Sequence, residues 1–315
     1  MNQRELGNTG IHISPLVFGG NVFGWTADKQ RSFELLDRFV DAGFNAIDTA
    51  DMYSTWVPGN QGGESETIIG EWMKARGNRD RIALFTKVGL EMPDGKGLSA
   101  AWIEKSVERS LRRLQTDSID VYFSHIFDDS VPLEETLEAH ERLIAAGKVR
   151  VIGASNHTAE QLQAALDVSE EKGLPRYAVL QPEYNLHSRD TYDGTLRDLA
   201  MAQNMGVITY YSLAGGFLSG KYRSEADLDK SPRGGGMKRY LDDRGKRILA
   251  ALDAVCQELD ARPAEVALAW LIQRDGVTAP IASATSLDQL DSMIRATRLD
   301  LTPEQVARLG QASAV

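Results

Sequence analysis

The chain of 315 residues is predicted to be an α/β protein, a (β/α)8 TIM barrel, on three observations. Short apolar runs alternate with longer amphipathic segments, which is typical of strands separated by helices. Eight runs qualify as strands, and about seven of them have a helical segment before the next one. Polar side chains repeatedly follow the ends of these runs, where a parallel barrel builds its active site. Residues 1–315 are therefore interpreted as a single domain.

The strands and helices can be placed in order along the chain. The predicted strands are Leu16–Phe18, Phe44–Ile47, Ile82–Phe85, Ile119–Phe123, Val149–Ser155, Ala178–Leu180, Val207–Tyr211 and Pro280–Ile281. Ser99 is a predicted N-cap, because Ile103, Val107 and Leu111 follow it at helical spacing. Further helices are predicted from Pro132 to Gly147, from Gln161 to Gly173, from Thr195 to Gln203, over 248–256 and from Leu301 to Leu309.

Three segments depart from this alternation. Residues 6–13 form a predicted N-terminal β-hairpin with glycine at the turn, which would cap the floor of the barrel. Residues 54–63 form a loop. Residues 214–245 form a long insertion in the C-terminal half, with three consecutive glycines and several basic residues. Loops of this length in a compact domain are usually functional lids or disordered segments.

Composition excludes several classes of function. The net charge of −10 opposes binding to nucleic acid. The single cysteine, Cys256, allows no intrachain disulfide and no cysteine-based zinc site, and its apolar helical surroundings predict a core position. A reducing, cytoplasmic location fits this cysteine usage. The N-terminus lacks an apolar signal segment, and no apolar run approaches the roughly 20 residues that span a bilayer, so no membrane association is expected.

Four residues from the first 125 form the candidate catalytic group: Asp48, Tyr53, Lys87 and His125. Each lies at or just after the end of a predicted strand. A phenol with a pKa near 10 is a poor acid at neutral pH, and a nearby ammonium should lower that pKa. A carboxylate can hold the ammonium, and a histidine can orient the group that receives the proton. The four residue types therefore predict proton transfer by Tyr53.

Two other readings of the sequence are disfavoured. A metal centre would need converging histidine, carboxylate or cysteine ligands, whereas Lys87 and Tyr53 occupy two of the four positions. No metal is therefore expected. The run from Gly95 to Ala100 matches a dinucleotide-binding fingerprint, but the preceding strand ends near Lys87, too early for a tight strand-to-helix turn.

The motifs around these residues resemble those of the aldo-keto reductases. The run from Phe44 to Ser54 resembles the first signature of that family, and Thr86–Lys87 and Ser124–His125 resemble the motifs that complete its tetrad. The likeness continues through 151–156, 180–185 and 211–222. It spans nearly the whole chain, and the loops are most similar to bacterial members related to potassium-channel β-subunits.

The resemblance implies a nicotinamide cofactor, NADPH with NAD possible, and reduction of aldehydes or ketones, or oxidation of the corresponding alcohols or sugars. Tyr53 would be the general acid, Lys87 would lower its pKa, Asp48 would hold Lys87, and His125 would orient the carbonyl. In the family, residues matching Ser155, Asn156 and Gln181 hold the nicotinamide carboxamide, and the ring matching Tyr211 stacks on it. The remaining residues assigned to the cofactor are Gly20, Asn21, Ser212, Leu213, Ala214, Gly216, Leu218, Gly220, Lys221, Ile281, Ser283, Thr285 and Gln289.

One departure concerns the cofactor. Many family members carry basic residues near the last strand that bind the 2′-phosphate of NADPH, whereas residues 280–289 contain neither lysine nor arginine. Lys221 or Arg223 could replace them, so NADP and NAD both stay open. Trp25, Trp56 and Phe127 are assigned to the pocket for a small carbonyl or alcohol substrate. The alternatives are an NAD-dependent sugar or alcohol dehydrogenase and a cofactor-binding regulatory subunit with little turnover; a homo-oligomer is possible.

Overall fold

The computed structural model describes residues 2–314. Eight parallel strands close into a barrel in the order β10-β3-β4-β5-β6-β7-β8-β9, which confirms the predicted (β/α)8 fold. The strands are β1 (Arg4–Glu5), β2 (His12–Ile13), β3 (Val17–Gly19), β4 (Ala46–Asp48), β5 (Ala83–Val88), β6 (Ile119–Ser124), β7 (Val149–Ser155), β8 (Val179–Gln181), β9 (Gly206–Thr209) and β10 (Ala279–Ala282).

Helices separate the barrel strands. They are α1 (Lys29–Asp41), α2 (Glu64–Arg76), α3 (Ala100–Leu114), α4 (Leu133–Ala145), α5 (Ala159–Lys172), α6 (Thr195–Ala202), α7 (Asp243–Leu259), α8 (Pro263–Ile272), α9 (Leu287–Ala296) and α10 (Pro303–Ala312). Ser99 takes the N-cap position of α3 with extended backbone, as predicted, although its side chain makes no capping hydrogen bond. Helix α5 begins earlier than predicted, because Thr158 and Gln161 form a capping box.

The apolar side chains form two buried layers. One layer lies between the barrel and its helices and includes Ile103, Val107 and Leu111 of α3, as their helical spacing predicts. The other fills the barrel interior and includes Val17, Phe85 and further strand residues. Because parallel strands share one direction, the polar residues at their C-terminal ends meet at one rim of the barrel.

The N-terminal hairpin closes the opposite end of the barrel, as predicted. Strands β1 and β2 pair antiparallel, and Leu6 between them joins the interior layer with no exposed surface. Gly7 lies against the first residue of β9 with φ at 61°, where an added Cβ would come within 2.2 Å of the Gly206 nitrogen. Glycine is therefore required at this contact, which fixes the hairpin to the floor.

The two predicted irregular segments lack strands, and they lack regular α-helix except at 243–245, where α7 begins earlier than the predicted end of the insertion. Residues 54–63 form turns between β4 and α2. The long insertion contains three 3₁₀ segments, Ala214–Ser219, Glu225–Lys230 and Gly234–Tyr240, before α7 begins at Asp243. Strand β9 ends at Thr209, two residues earlier than predicted, because Tyr211 adopts a left-handed backbone with φ at 52°.

The structure also bears on the glycine-rich fingerprint and on membrane-spanning segments. The glycine run at 95–100 lies in a loop in which Gly97 donates to the Gly89 carbonyl, rather than in a tight turn after β5. The closed barrel also excludes the open doubly wound sheet to which that fingerprint belongs. Across residues 2–314, every helix falls short of the length and apolar character that crossing a bilayer demands.

Candidate active site

The four candidate catalytic side chains meet at the C-terminal rim of the barrel. Asp48 is the last residue of β4, Lys87 the next-to-last of β5, and His125 directly follows β6. Tyr53 lies in the loop after β4. Lys87 Nζ is 2.6 Å from Asp48 Oδ2 and 2.9 Å from the Tyr53 hydroxyl oxygen. The rings of Tyr53 and His125 lie edge to face with centroids 6.3 Å apart.

The ammonium group of Lys87 fixes the direction of the Tyr53 hydroxyl. It donates to Asp48 Oδ2, to the Thr49 carbonyl at 2.7 Å and to the Tyr53 oxygen, so its three hydrogens are all used. Because the Tyr53 oxygen accepts from Lys87, its own hydrogen must point elsewhere. The Asp48 oxygen is 3.4 Å from it, too far for a strong bond. Tyr53 can therefore direct its proton toward a ligand.

The net pKa of Tyr53 shifts in the opposite direction to the sequence prediction. Burial, and then the negative charge of Asp48, raise the pKa of Tyr53 well above its ordinary value. Asp48 balances the charge of the buried Lys87 ammonium, which weakens but does not abolish the effect of that cation on the phenol. Burial also lowers the pKa of Lys87, although Asp48 opposes this. Tyr53 is thus protonated at neutral pH, as a proton donor must be.

His125 is neutral in this site. Burial, and then the charge of Lys87, hold the pKa of His125 well below its ordinary value. Its Nδ1 atom is buried and has no hydrogen-bond partner among residues 2–314. The backbone is held on both sides, since the His125 amide donates to Val88 and its carbonyl accepts from Asn156 at 2.8 Å. A fixed, neutral imidazole can orient a polar group without adding charge.

The residues assigned to the carboxamide lie beside this cluster on the next strands. Ser155 and Gln181 end β7 and β8, and Gln181 Nε2 donates to Asp48 Oδ1 at 2.9 Å. Asn156 takes a left-handed backbone with φ at 55°. Its side chain donates to the His125 carbonyl and accepts from the Tyr210 hydroxyl at 2.6 Å. Tyr210, which was not among the predicted site residues, therefore orients Asn156.

Tyr211 presents a large apolar surface at this rim. It is 45% exposed, which makes it one of the few large apolar side chains that are open to solvent. Its left-handed backbone is held by Asn185, whose side-chain amide donates to the Tyr211 carbonyl at 3.0 Å. Asn185 is a second site residue absent from the prediction; it lies in a motif that matched the family but carried no assigned role.

The glycine-rich segment, residues 212–221, has the backbone that close approach of a ligand requires. Gly215, Gly216 and Gly220 have φ values of 67°, 108° and 77°. A Cβ at Gly216 would contact only the Lys221 side chain, at 3.8 Å, so the space over this backbone is open. Leu218 is fully buried, and Leu213 packs against the same core layer. Their side chains therefore face the core, and the Leu218 amide already donates to the Leu213 carbonyl at 3.2 Å.

The basic residues of the insertion differ in how far their charges are already balanced. Arg223 forms a bidentate pair with Asp253 at 2.7 and 2.8 Å and donates to the Gly220 carbonyl. It is therefore a poor substitute for the missing phosphate ligands. Lys221 lies over the Tyr222 ring, 5.0 Å from its centroid. Arg233 stacks on Trp25 at 4.9 Å, and its Nη2 atom has no hydrogen-bond partner within the described chain.

Residues near the first and last barrel strands complete the predicted cofactor set. Ser283 donates to Asn21 Oδ1 at 2.6 Å, which joins the loops after β10 and β3. Gln289 accepts from the backbone and hydroxyl of Thr285 at 2.9 and 3.1 Å. Ile281 packs in the barrel interior. Gly20 accepts from Ser65 through its carbonyl, and an added Cβ would come 2.8 Å from the Ser65 hydroxyl.

The three residues assigned to the substrate pocket fall into two groups. The rings of Trp25 and Trp56 are perpendicular with centroids 5.7 Å apart, and Trp56 lies 6.2 Å from the Tyr53 ring. Trp56 is 44% exposed. Phe127 instead packs against His157 at 5.5 Å. The two tryptophans thus form an aromatic wall beside the ring of Tyr53.

The arrangement fits a dinucleotide at this rim. The exposed ring of Tyr211 can accept a flat heterocycle, and the open glycine backbone beside Lys221 can accept a phosphate. Arg233 offers a half-buried cation that forms no salt bridge with a carboxylate among residues 2–314. For a metal, residues 2–314 contain no group of three or more histidine, cysteine or carboxylate side chains that could hold the ion.

Comparison with known proteins assigns the chain to a family. The model of the aldo/keto reductase family matches residues 15–314. An uncharacterized oxidoreductase, YrpG, from Bacillus subtilis (strain 168) is 33% identical over 96% of this chain and 93% of its own. An aryl-alcohol dehydrogenase [NADP(+)] from Phanerodontia chrysosporium is 30% identical, covering 94% and 82%. A probable voltage-gated potassium channel subunit beta from Oryza sativa subsp. japonica is 32% identical, covering 98% and 95%. The oxidoreductases among these relatives support carbonyl reduction as the general type of reaction. The chain belongs to the aldo/keto reductase family.

Proposed function

We propose that the protein is an NADPH-dependent reductase of aldehydes or ketones in which Tyr53 protonates the carbonyl oxygen. The observation that carries the proposal is the Lys87 ammonium group, which binds Asp48, the Thr49 carbonyl and Tyr53 at once. This arrangement leaves the hydroxyl hydrogen of Tyr53 as the one mobile proton of the cluster. The raised pKa of Tyr53 keeps that proton in place until a stronger acceptor forms.

The proton transfer follows from the positions of these groups. A carbonyl oxygen near the Tyr53 hydroxyl would accept its hydrogen bond, and the neutral imidazole of His125 would limit the directions from which it can approach. Reduced nicotinamide, when bound, would supply the hydride. As negative charge grows on the carbonyl oxygen, the Tyr53 proton moves to it, and the Lys87 ammonium stabilises the phenolate left behind.

The cofactor would be held by groups of three kinds. Ser155, Asn156 and Gln181 offer polar side chains beside the tetrad. The exposed Tyr211 ring offers a stacking surface. Lys221 and Arg233 offer positive charge next to the open glycine backbone, where charge-assisted hydrogen bonds would bind phosphate. Since residues 280–289 lack a cation and Arg223 is paired with Asp253, an NAD-dependent alcohol dehydrogenase is the second candidate.

The substrate class that fits best is an aromatic aldehyde or ketone. Trp25 and Trp56 form a wall beside Tyr53, and an aromatic substrate can pack against such rings in offset or edge-to-face geometry. The relative from Phanerodontia chrysosporium is named for aryl-alcohol oxidation, which supports this choice. A regulatory subunit with little turnover is less favoured, because the tetrad is assembled for proton transfer.

The test is the Tyr53→Phe variant assayed with an aromatic aldehyde. Its kcat should fall by about 10²-fold or more, the usual contribution of a general acid, while the Kd for NADPH stays close to the wild-type value. Tyr192→Phe is the matched control, because the Tyr192 hydroxyl donates to the Gly276 carbonyl in the loop that precedes β10, at the other end of the barrel. Wild-type kcat in Tyr53→Phe would refute the mechanism. Titration with NADPH and NADH separately would decide between the two cofactors.

A further inference from the structure

Next to the tetrad lies a second buried carboxyl group that the proposed mechanism does not use. Asp51 is 1% exposed, and neither of its carboxyl oxygens has a hydrogen-bond partner among residues 2–314. Its backbone amide donates to the Lys87 carbonyl at 3.3 Å, so it is directly attached to the strand that carries Lys87. A buried ionised carboxylate with no partner is strongly unfavourable, so this position requires an explanation.

The charges around Asp51 explain its position if the carboxyl group is neutral. Lys87 is paired with Asp48 at 2.6 Å, and Arg113 is paired with Glu66 at 2.6 Å. Glu66 has no exposed surface and also accepts from the Thr86 hydroxyl at 2.5 Å. Each cation is therefore already balanced by one carboxylate. If Asp51 were ionised, these two ion pairs together with Asp51 would carry one uncompensated negative charge.

The surroundings of Asp51 favour its neutral form. Burial, and then the negative charge of Glu66, raise the pKa of Asp51 well above its ordinary value. Arg113, Lys87 and the nearby Met52 amide, which falls outside hydrogen-bond geometry, offset this only in part. The hydroxyl of Tyr122 on β6 is also buried without a partner, and Asp51 helps to raise its pKa. Among the charged groups of α3, the more distant Arg109 is held by Asp94 on the surface.

We infer that Asp51 is a positioning residue that keeps its proton at neutral pH, so that Asp48 alone balances the charge of Lys87. The inference rests on the proposed role of Tyr53 as the proton donor. Loss of the Asp51 proton would place a second negative charge near Lys87, where an ionised Asp51 would raise the pKa of the ammonium. That charge would oppose phenolate formation at Tyr53 and make it a weaker acid.

The order in which Asp51 and Tyr53 lose their protons predicts the direction in which the alkaline limb of kcat should move. A carboxylic acid is ordinarily a much stronger acid than a phenol, and burial raises the pKa of both groups, so we expect Asp51 to ionise before Tyr53 as the pH rises. In the wild type, the ionised Asp51 then holds the Tyr53 proton more strongly. In Asp51→Asn this charge is missing, so the alkaline fall in kcat should occur about one pH unit lower than in the wild type.

The protonation state of Asp51 can be measured without reference to activity. Infrared spectra of the wild type at neutral pH should contain the C=O stretch of a protonated carboxylic acid, and Asp51→Asn should lack it. Asp94→Asn is the matched control and should keep the band, because Arg109 and Lys105 hold the pKa of the exposed Asp94 carboxyl well below its ordinary value. If Asp51→Asn does not fold, carbon-13 labelling of aspartate in the wild type should show the same band disappearing at alkaline pH.

The possible results separate the claims. The band together with the alkaline shift supports the inference. A wild type without the band, or a band that persists in Asp51→Asn, refutes the protonated state. A band with coincident alkaline limbs means that Asp51 is structural only, which refutes the positioning role. Failure of the proposed function would appear differently, as wild-type kcat in Tyr53→Phe, and would leave the infrared band unchanged.

Discussion

Lys87 makes three contacts, and each has a different chemical consequence. Asp48 balances its charge, the Thr49 carbonyl fixes its position, and Tyr53 receives its third hydrogen. Because the lysine has no exposed surface, it cannot exchange any of these partners for water. The side chain thus determines both the charge at the centre of the site and the direction of the Tyr53 hydroxyl.

Removing the Lys87 ammonium should therefore change the acidity of Tyr53 more than the fold of the barrel. In Lys87→Met, the cation 2.9 Å from the phenol is lost, so the pKa of Tyr53 should rise further. We expect kcat to fall by about tenfold or more at neutral pH and its alkaline limb to move to higher pH. The measurement is a pH–rate profile at saturating substrate and cofactor.

A control for Lys87→Met must account for the Asp48 carboxylate, which loses its partner. Asp48 would be buried without its cation, which is destabilising in itself. The double variant Asp48→Asn/Lys87→Met removes both charges and should recover stability but not kcat. If kcat recovers with stability, the loss in Lys87→Met came from folding, and the ammonium has no direct role in proton transfer.

The two basic residues that follow the glycine-rich segment give a matched pair for the cofactor site. Lys221 lies beside the open backbone of Gly216, whereas Arg223 is already paired with Asp253. Lys221→Ala should weaken NADPH binding by about tenfold or more, the value of one charge-assisted hydrogen bond, and Arg223→Ala should change it little. Fluorescence titration of the cofactor measures both. An equal effect of the two substitutions would show that phosphate is bound elsewhere.

Sequence patterns selected four candidate side chains that the fold brings together, because each follows a recognisable apolar run, as Asp48 and Lys87 do. They could not show that Asp51 lacks a partner, since its neighbours Glu66 and Arg113 come from two different helices. They also left Arg223 as a phosphate ligand, because its pairing with Asp253 spans thirty residues of the chain. Strand ends can be read from local sequence, whereas charge balance depends on contacts made only by the fold.

At the scale of elements, buried polar groups form hydrogen bonds with the last residues of β6 and β7. The Ser124 hydroxyl is 3.2 Å from His140 Nε2 of α4 and 2.7 Å from the Tyr177 hydroxyl. His157, which follows β7, is bonded through Nδ1 to the Ser155 carbonyl at 2.8 Å. These contacts lie directly behind His125 and Asn156, so the stability of the two strand ends depends on polar groups that titrate.

His140 predicts a specific pH dependence of stability. Burial lowers the pKa of His140 from 6.5 to about 4. Between these values the unfolded chain binds more protons than the native one, so stability rises with pH and is lost as pH falls from 6.5 toward 4. The loss amounts to about 2 kcal/mol between pH 7 and pH 5. Urea unfolding of His140→Gln should show a smaller difference between these two pH values.

The exposed His12 of β2 supplies the comparison for this measurement. His12→Gln should keep the wild-type difference between pH 7 and pH 5, because His12 lies on the solvent side of the hairpin. Identical pH dependence in His140→Gln and the wild type would mean that other groups, such as surface carboxylates, govern acid unfolding.

Element boundaries show the same division between local and distant causes. Helix α3 was placed correctly because its apolar stripe and Ser99 lie within one stretch of sequence. Strand β9 was predicted too long, because Tyr210 and Tyr211 have strong strand propensity. Tyr210 still forms a bridge with Glu183, and the chain leaves the strand at Tyr211, whose left-handed backbone is held by the distant Asn185. The prediction of a strand failed where the chain turns to form the site.

The whole molecule separates stability from chemistry along the barrel axis. The tetrad lies at the C-terminal ends of the strands, and the hairpin closes the N-terminal end, with the interior layer between them. In barrels of this kind the mouth carries function and the floor carries stability. A change at the floor should therefore alter the free energy of unfolding without altering the chemical step.

Leu6→Ala tests this separation. Leu6 has no exposed surface and packs among the interior side chains, so its truncation should cost about 2–5 kcal/mol in the free energy of unfolding. Under conditions in which the variant stays folded, its kcat and its Kd for NADPH should match the wild type. Urea unfolding and steady-state kinetics on the same preparation measure both. A fall in kcat that exceeds the loss of folded protein would mean that the floor and the mouth are coupled through the packed strands, because Leu6 lies at the floor beside Gly206, the first residue of β9.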